Sequence, residues 1–215
     1  MSLTTDLKTL NDKNREQIPN EVLEVMDKAT SDLKKDHFAD KTLKVGDSFP
    51  DATLLNIKGK EVNLKDFNNG KKLIVSFYRG GWCPYCNLEL KALQNSITEF
   101  KANGAELIAI TPETPDNSLS TSEKNNLSFE VLSDIDNAFA KKIGLVFQLP
   151  ESIKAIYSQF GLDIKKHNNN YDYELPVPAT FVINEEGKVI YRFVNEDYTK
   201  RADTEEILNA LKANK

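Results

Sequence analysis

The sequence predicts an α/β protein in which helices flank a central sheet that ends in a hairpin. Residues 73–78 form a nearly continuous apolar run of strand length, which is typical of a strand covered on both faces. A helical pattern, a second β-rich run at 107–110 and further helical patterns follow it. Two more β-rich runs, at 179–184 and 188–193, are separated by the turn residues 185–187 and predict the hairpin.

The first 44 residues predict two amphipathic helices ahead of the main domain. They contain no glycine and one proline, Pro19, after which Asn20 is expected to cap the second helix. Apolar residues recur at helical spacing on both sides of this proline: Leu3, Leu7 and Leu10 before it, and Val22, Val25, Met26, Ala29 and Leu33 after it. We expect these narrow stripes to pack on the main domain, with a second subunit as the alternative. The sequence thus divides into an N-terminal helical extension, 1–44, and a main domain, 45–215.

Turn and cap signals place the remaining elements of the main domain. A turn at 56–60 leads to a short strand through Val62 and Leu64, and residues 129–132 alternate as another short strand. Helices are predicted from Leu90 to Phe100, at 137–143 and at 153–160, each followed by a glycine that can end it, and from a capping box formed by Asp203 and Glu206.

Composition excludes several classes of function. No apolar run approaches the roughly 20 residues of a membrane helix, and the first residues lack the basic and apolar segments of a secretory signal. We therefore expect a cytoplasmic protein that does not enter a membrane. The net charge is −5, and no basic stripe alternates with aromatic residues, so nucleic acid is not expected as a partner.

Cys83 and Cys86 are the only cysteines, and they form a C-x-x-C pair where the predicted central strand meets the next helix. A bridge across so short a loop would add little stability, so the spacing indicates reactive thiols or a metal site. If Cys83 caps the helix, Pro84 takes the first helical position, and the free amides of the first turn stabilise a thiolate at Cys83. Cys86, one turn later, is then placed to attack a sulfenic acid or mixed disulfide formed at Cys83.

Three other roles for these residues are less consistent with the sequence. A zinc site needs two further ligands, and His37 and His167 do not form a ligand-spaced pair, so we expect no metal or other cofactor. Inert core cysteines are the second alternative, against which the neighbouring Gly80-Gly81, Trp82 and Pro84 argue. Both histidines stand in polar segments, so neither is expected to act as an acid–base catalyst.

Residues 73–90 and 178–211 resemble the alkyl hydroperoxide reductase and thiol-specific antioxidant (AhpC/TSA) family. The resemblance is to its peroxiredoxin-like branch, which carries the motif Phe-Tyr-Arg-Gly-x-Trp-Cys-Pro-Tyr-Cys found here at 77–86. It extends from Val45 to the end of the chain. It implies a thioredoxin-like fold, a central mixed sheet flanked by helices, to which the N-terminal helices are an addition.

The site departs from the typical peroxiredoxin pattern Pro-x-x-x-Thr-x-x-Cys and its distant arginine. In alignment with the family, its proline falls on Arg79, its threonine on Cys83 and its peroxidatic cysteine on Cys86. The family's arginine falls on Pro178, where thioredoxins and glutaredoxins keep a cis proline that faces their dithiol. A cis bond before Pro178 would leave the backbone of Val177 free to pair with an incoming peptide. An ordinary trans proline is the alternative.

The sequence therefore leaves two possibilities for which cysteine attacks the substrate first. The alignment nominates Cys86, whereas the position at the start of the helix nominates Cys83 as the exposed thiol of low pKa, and we favour Cys83. Arg79 is expected either to supply positive charge to a thiolate or to be solvated in a loop. Trp82 and Tyr85 are expected to shape the rim of the site.

The resemblance implies a thiol-dependent peroxidase that reduces hydroperoxides through a disulfide cycle of Cys83 and Cys86. A thioredoxin- or glutaredoxin-type protein would reopen the disulfide. Two alternatives remain: a thiol–disulfide oxidoreductase with little peroxidase activity, and a redox-sensing module that binds a partner through its N-terminal helices. Those helices are also compatible with a homodimer.

Overall fold

A mixed sheet flanked by helices forms the centre of the protein in the computed structural model, which describes residues 2–214. The predicted α/β class, with its thioredoxin-like sheet and its N-terminal helices, is confirmed. The strands are β1 (Thr53–Asn56), β2 (Glu61–Asn63), β3 (Lys72–Phe77), β4 (Ala105–Thr111), β5 (Glu130–Ser133), β6 (Val146–Gln148), β7 (Glu174–Pro176), β8 (Ala179–Ile183) and β9 (Val189–Val194). The helices are α1 (Leu3–Gln17), α2 (Asn20–Lys35), α3 (Leu64–Asn68), α4 (Pro84–Asn95), α5 (Ile97–Ala102), α6 (Pro115–Asn125), α7 (Ala138–Lys142), α8 (Glu151–Gln159), α9 (Ile164–Asn168) and α10 (Thr204–Ala213).

The main sheet has the strand order β2-β1-β5-β4-β3-β8-β9. β3 lies inside the sheet, parallel to β4 and antiparallel to β8, and all its residues are buried, as the apolar run predicts. Its side chains alternate between two cores: Ile74 contributes to one, and Leu73, Val75 and Phe77 contribute to the other. β3 is therefore fixed from both faces, and it ends just before the cysteine pair.

The two N-terminal helices pack on the main domain of the same chain. Leu3 and Leu7 of α1 are buried in the core on the α4 side of the sheet. The backbone N–H and the hydroxyl of Thr4 donate to Asp203, the residue that caps α10, at 3.2 and 2.9 Å. The side chains of α2 are all at least partly exposed, and its apolar face contacts a core cluster that includes α8.

Several elements differ from the sequence prediction. The helix expected to reach Phe100 breaks at Ser96 into α4 and α5, and Leu64 begins α3 instead of ending a strand. Asn20 is the first residue of α2, without a side-chain cap bond. Asp203 caps α10 as predicted, but the Glu206 carboxylate accepts from the Tyr191 hydroxyl at 2.8 Å and leaves the capping box incomplete.

The segment 145–176 holds elements that the sequence did not indicate. β6 and β7 pair antiparallel as a small separate sheet, and α9 lies in a polar part of the chain for which no element was predicted. Each of these strands has three residues, too few for an alternating pattern to stand out. None of the described helices has the length and apolar character to cross a membrane. The boundary between residues 44 and 45 stays a prediction, and residues 1 and 215, the ends of the two predicted units, lie outside the described part.

Candidate active site

The cysteine pair lies on the turn between β3 and α4, as predicted. Cys83 is the N-cap of α4 in an extended conformation, and Pro84 is the first helical residue. The Cys83 amide donates to the Gly80 carbonyl at 3.1 Å. A Cβ atom on Gly81 would lie 1.9 Å from Thr121 Oγ1, so this close approach requires glycine.

Both cysteines are free thiols, and both are 0% exposed. The expectation that Cys83 is exposed is therefore wrong; side chains of α1, α2 and α8 line a cavity together with Trp82, Pro84 and Tyr85 of the turn. Each sulfur has its own buried arginine. Arg79 Nη2 donates to Cys83 Sγ at 3.2 Å, and Arg201 Nη2 donates to Cys86 Sγ at 3.2 Å.

The two thiols have opposite pKa shifts. Burial alone would raise the pKa of Cys83, but the hydrogen bond from Cys86 and the positive charges of Arg79 and Arg201 outweigh it and hold this pKa well below its ordinary value. Burial raises the pKa of Cys86, and the neighbouring Cys83 thiolate raises it further. These opposite shifts favour the thiolate on Cys83 and the protonated thiol on Cys86.

Arg79 is buried among aromatic side chains and is not the solvated loop arginine of the alternative reading. Its Nη1 donates to the Tyr157 hydroxyl at 3.0 Å. Its guanidinium carbon lies 5.1 Å from the centroid of the Trp82 ring and 4.5 Å from that of Tyr198. These contacts fix the guanidinium against the Cys83 sulfur.

Arg201, which the sequence analysis did not assign to the site, joins Cys86 to a buried carboxylate. Its Nε donates to Glu89 Oε2 at 2.6 Å, and both side chains are 1% exposed. Burial raises the pKa of Glu89, and the positive charge of Arg201 opposes that shift. Ser76 and Thr180, on β3 and β8, donate to Glu89 Oε1 at 3.3 and 3.4 Å. The carboxylate is thus satisfied from three elements.

Glu113 and His167 form a second polar group beside the cysteine turn, and the sequence analysis missed both. Glu113 is 1% exposed and accepts from the Gly81 amide at 2.8 Å. Its other carboxylate oxygen lies 3.0 Å from His167 Nδ1. His167 stands in a polar segment, as expected, but that segment folds back so that its imidazole meets Glu113 while staying 31% exposed.

Two cavities, of about 210 and 510 Å³, lie between the N-terminal helices and the main domain. Arg79, Tyr157 and Tyr198 line both of them. Trp82 and Tyr85, which were expected to shape the rim of the site, line the larger cavity. A substrate in either cavity would meet the guanidinium that contacts Cys83.

Pro178 lies in the wall of the smaller cavity, beside Arg79. The Val177–Pro178 peptide bond is trans, so the structure selects the second of the two alternatives. The Val177 amide donates to the Leu145 carbonyl at 2.8 Å and is not free to pair with an incoming peptide. Within residues 2–214, no group of three or more His, Cys, Asp and Glu side chains is gathered as a metal ion would need.

A family model and several known proteins match this chain. The model of the AhpC/TSA family matches residues 45–192, more than half of the chain. A putative peroxiredoxin bcp of Buchnera aphidicola subsp. Schizaphis graminum (strain Sg) is 30% identical over 162 residues, which are 74% of this chain and 91% of that protein. Peroxiredoxin Bcp of Escherichia coli (strain K12) is 28% identical over 170 residues, 79% of this chain and 96% of that protein.

A solved structure has the same fold at lower identity. The crystal structure of Peroxidoxin BcpB from Mycobacterium tuberculosis superposes with a TM-score of 0.64 at 19% identity. The superposition covers 80% of this chain and 99% of that chain. The part of this chain outside the family match includes α1 and α2, the helices that cover the cysteine turn.

Proposed function

This chain belongs to the AhpC/TSA family, and from that premise we propose that it is a thiol-dependent peroxidase whose catalytic residues are Cys83 and Cys86. The observation that carries the proposal is the hydrogen bond between Arg79 and the buried sulfur of Cys83, together with the lowered pKa of that thiol. A thiolate is the form that reduces peroxides. Arg79 supplies a positive charge at the sulfur, as the resemblance implies the family's arginine does elsewhere.

The first step is an attack by the Cys83 thiolate on the terminal oxygen of the hydroperoxide. A sulfur–oxygen bond forms, the oxygen–oxygen bond breaks, and both electrons of that bond leave with the alcohol or water. The sulfur is oxidised to sulfenic acid. The guanidinium of Arg79, whose charge does not depend on pH in the physiological range, stabilises the negative charge as it moves from sulfur to oxygen.

Cys86 completes the cycle from one helical turn away. Its thiol attacks the sulfenic acid of Cys83, water leaves, and a disulfide joins the two residues. Arg201 contacts the Cys86 sulfur and favours the thiolate that this step needs. A thiol reductant then reopens the disulfide, and we propose a thioredoxin- or glutaredoxin-type protein in a cytoplasmic setting. Trp82, Pro84, Tyr85 and Pro178 shape and support the site.

A second candidate is disulfide exchange on proteins or glutathione, favoured by the placement of the Cys83-Pro84-Tyr85-Cys86 turn at the start of α4. The Val177 amide already donates to the Leu145 carbonyl, which argues against a peptide docking there as in thioredoxins.

Two assays on the reduced wild-type protein separate these functions. We expect rapid consumption of hydrogen peroxide or an alkyl hydroperoxide, followed by formation of one intramolecular disulfide, because the Cys83 thiolate is preformed at neutral pH. We expect slow reduction of insulin disulfides, because both sulfurs are buried. Fast insulin reduction without peroxide consumption would select disulfide exchange. Slow reaction with both substrates would favour the redox-sensing module.

A further inference from the structure

We propose that His167 donates the proton to the oxygen that leaves when Cys83 reduces a hydroperoxide. The inference rests on the peroxidase function proposed above and adds a catalytic residue to it. His167 stands on α9, in the segment 145–176 that folds over the site. Its imidazole lines the larger cavity together with Arg79 and Trp82.

The chemistry requires such a donor. When the thiolate attacks, the terminal peroxide oxygen keeps its hydrogen and becomes the hydroxyl of the sulfenic acid. The other peroxide oxygen, which carries the alkyl group, leaves with the bonding electrons. With an alkyl hydroperoxide this leaving group is an alkoxide, a strong base that must gain one proton. A side chain that transfers this proton in the transition state typically accelerates such a step by about 100- to 10,000-fold.

A buried carboxylate ties His167 to the turn that carries Cys83. Glu113 accepts from the Gly81 amide with one oxygen, at 2.8 Å, and lies 3.0 Å from His167 Nδ1 with the other. Because Nδ1 is engaged with Glu113, Nε2 is the nitrogen that can serve a ligand in the cavity. A carboxylate on one ring nitrogen orients the imidazole. This is the arrangement that a proton donor needs.

The backbone of His167 is fixed as well. Its carbonyl accepts from the Thr114 amide at 3.1 Å and from Asn117 Nδ2 at 2.9 Å, both at the start of α6. The side chain of His167 is 31% exposed, whereas that of Glu113 is 1% exposed. The imidazole therefore keeps contact with solvent, from which it regains its proton after each turnover.

Arg15, Asp27 and Arg79, in the wall of this cavity, are less suited to the task. Arginine does not release a proton near neutral pH, and Asp27 is paired with Arg15 at 2.9 Å. Burial raises the pKa of Tyr85 and of Tyr198. The titratable residues of the wall besides His167 are Arg15, Asp27, Arg79, Tyr85, Tyr157 and Tyr198.

The test compares two oxidants that differ in their need for a proton. tert-Butyl hydroperoxide releases an alkoxide, whereas peracetic acid releases acetate, which is stable without a proton. The variants are His167→Gln and, as the matched control, His37→Gln, whose side chain is 79% exposed and lies outside both cavities. The fluorescence of Trp82, the single tryptophan, next to Cys83, follows the first oxidation in a stopped-flow experiment.

We expect His167→Gln to react about 100-fold more slowly with tert-butyl hydroperoxide and within about threefold of wild type with peracetic acid. His37→Gln should match wild type with both. Glu113 positions the imidazole, so Glu113→Gln should also slow the reaction with tert-butyl hydroperoxide more than that with peracetic acid, by a smaller factor than His167→Gln does.

An equal loss with both oxidants would mean that His167 only supports the structure, and no loss with either would mean that it is idle; each result overturns the inference. A wild-type protein that consumes neither oxidant would instead overturn the proposed peroxidase function, and the inference with it. The two failures are thus distinguishable.

Discussion

The variant Cys83→Ser is expected to consume hydroperoxide on the order of a thousandfold or more slowly than the wild-type protein. The cause is the loss of the sulfur that Arg79 contacts: the remaining sulfur, Cys86, is buried and has Arg201 instead of Arg79 as its partner. Serine is nearly isosteric with cysteine, so the fold should persist. The rate is measured from the disappearance of peroxide after mixing with the reduced variant.

The matched control is Cys86→Ser, which keeps the nucleophile. The serine hydroxyl still donates a hydrogen bond to the Cys83 thiolate, and Arg79 still contacts it. This variant should therefore complete one oxidation at nearly the wild-type rate and then stop at the sulfenic acid, which a dimedone-type probe labels. Labelling of the Cys83→Ser protein alone would show that Cys86 attacks first, as the family alignment suggests.

Replacement of Arg201 with methionine is expected to lower the free energy of unfolding by about 3–5 kcal/mol. The change leaves the carboxylate of Glu89 buried without its partner, because both side chains of this ion pair are 1% exposed. Chemical denaturation of the reduced protein at neutral pH measures the effect. Arg15→Met is the matched control: the pair between Arg15 and Asp27 is exposed at the surface, so its loss should lower the stability far less than Arg201→Met does.

The cost of Arg201→Met should also depend on pH. Without the arginine charge, burial acts on Glu89 with the hydrogen bond from Ser76 still opposing it, and raises its pKa further above the value of about 4.3 that glutamate has in an unfolded chain. Between these two pKa values the folded variant binds more protons than the unfolded one, so its stability falls as pH rises. We therefore expect a smaller loss at pH near 4 than at neutral pH. An equal loss at both would contradict the assignment of the buried carboxylate as the cause.

Local patterns predicted the cysteine turn because the required signals are local. The apolar run before Arg79 predicts a buried strand, and Pro84 after Cys83 predicts the first turn of a helix; the structure has both. The N-cap position of Cys83 follows from these two facts. The α/β order and the terminal hairpin could be predicted for the same reason.

The partners of the two sulfurs could not be predicted because they come from distant parts of the chain. Arg201 lies in the segment 178–211 that resembles the family, and nothing local marks it as a site residue. Its contact with Cys86 exists only once the last loop packs against α4. Glu113 and His167 stood in polar segments that read as surface. A charged residue in such a segment carries no local mark that it will be buried with a partner.

Ultraviolet titration of the thiolates in the reduced protein and in the two serine variants tests the central claim most directly. We predict that wild type and Cys86→Ser each hold one thiolate at neutral pH, lost only as the pH falls well below the roughly 8.5 of a free thiol, whereas the buried thiol of Cys83→Ser ionises at a higher pH than the thiol of Cys86→Ser. The reverse assignment, or the absence of a thiolate at neutral pH in all three proteins, would contradict the account.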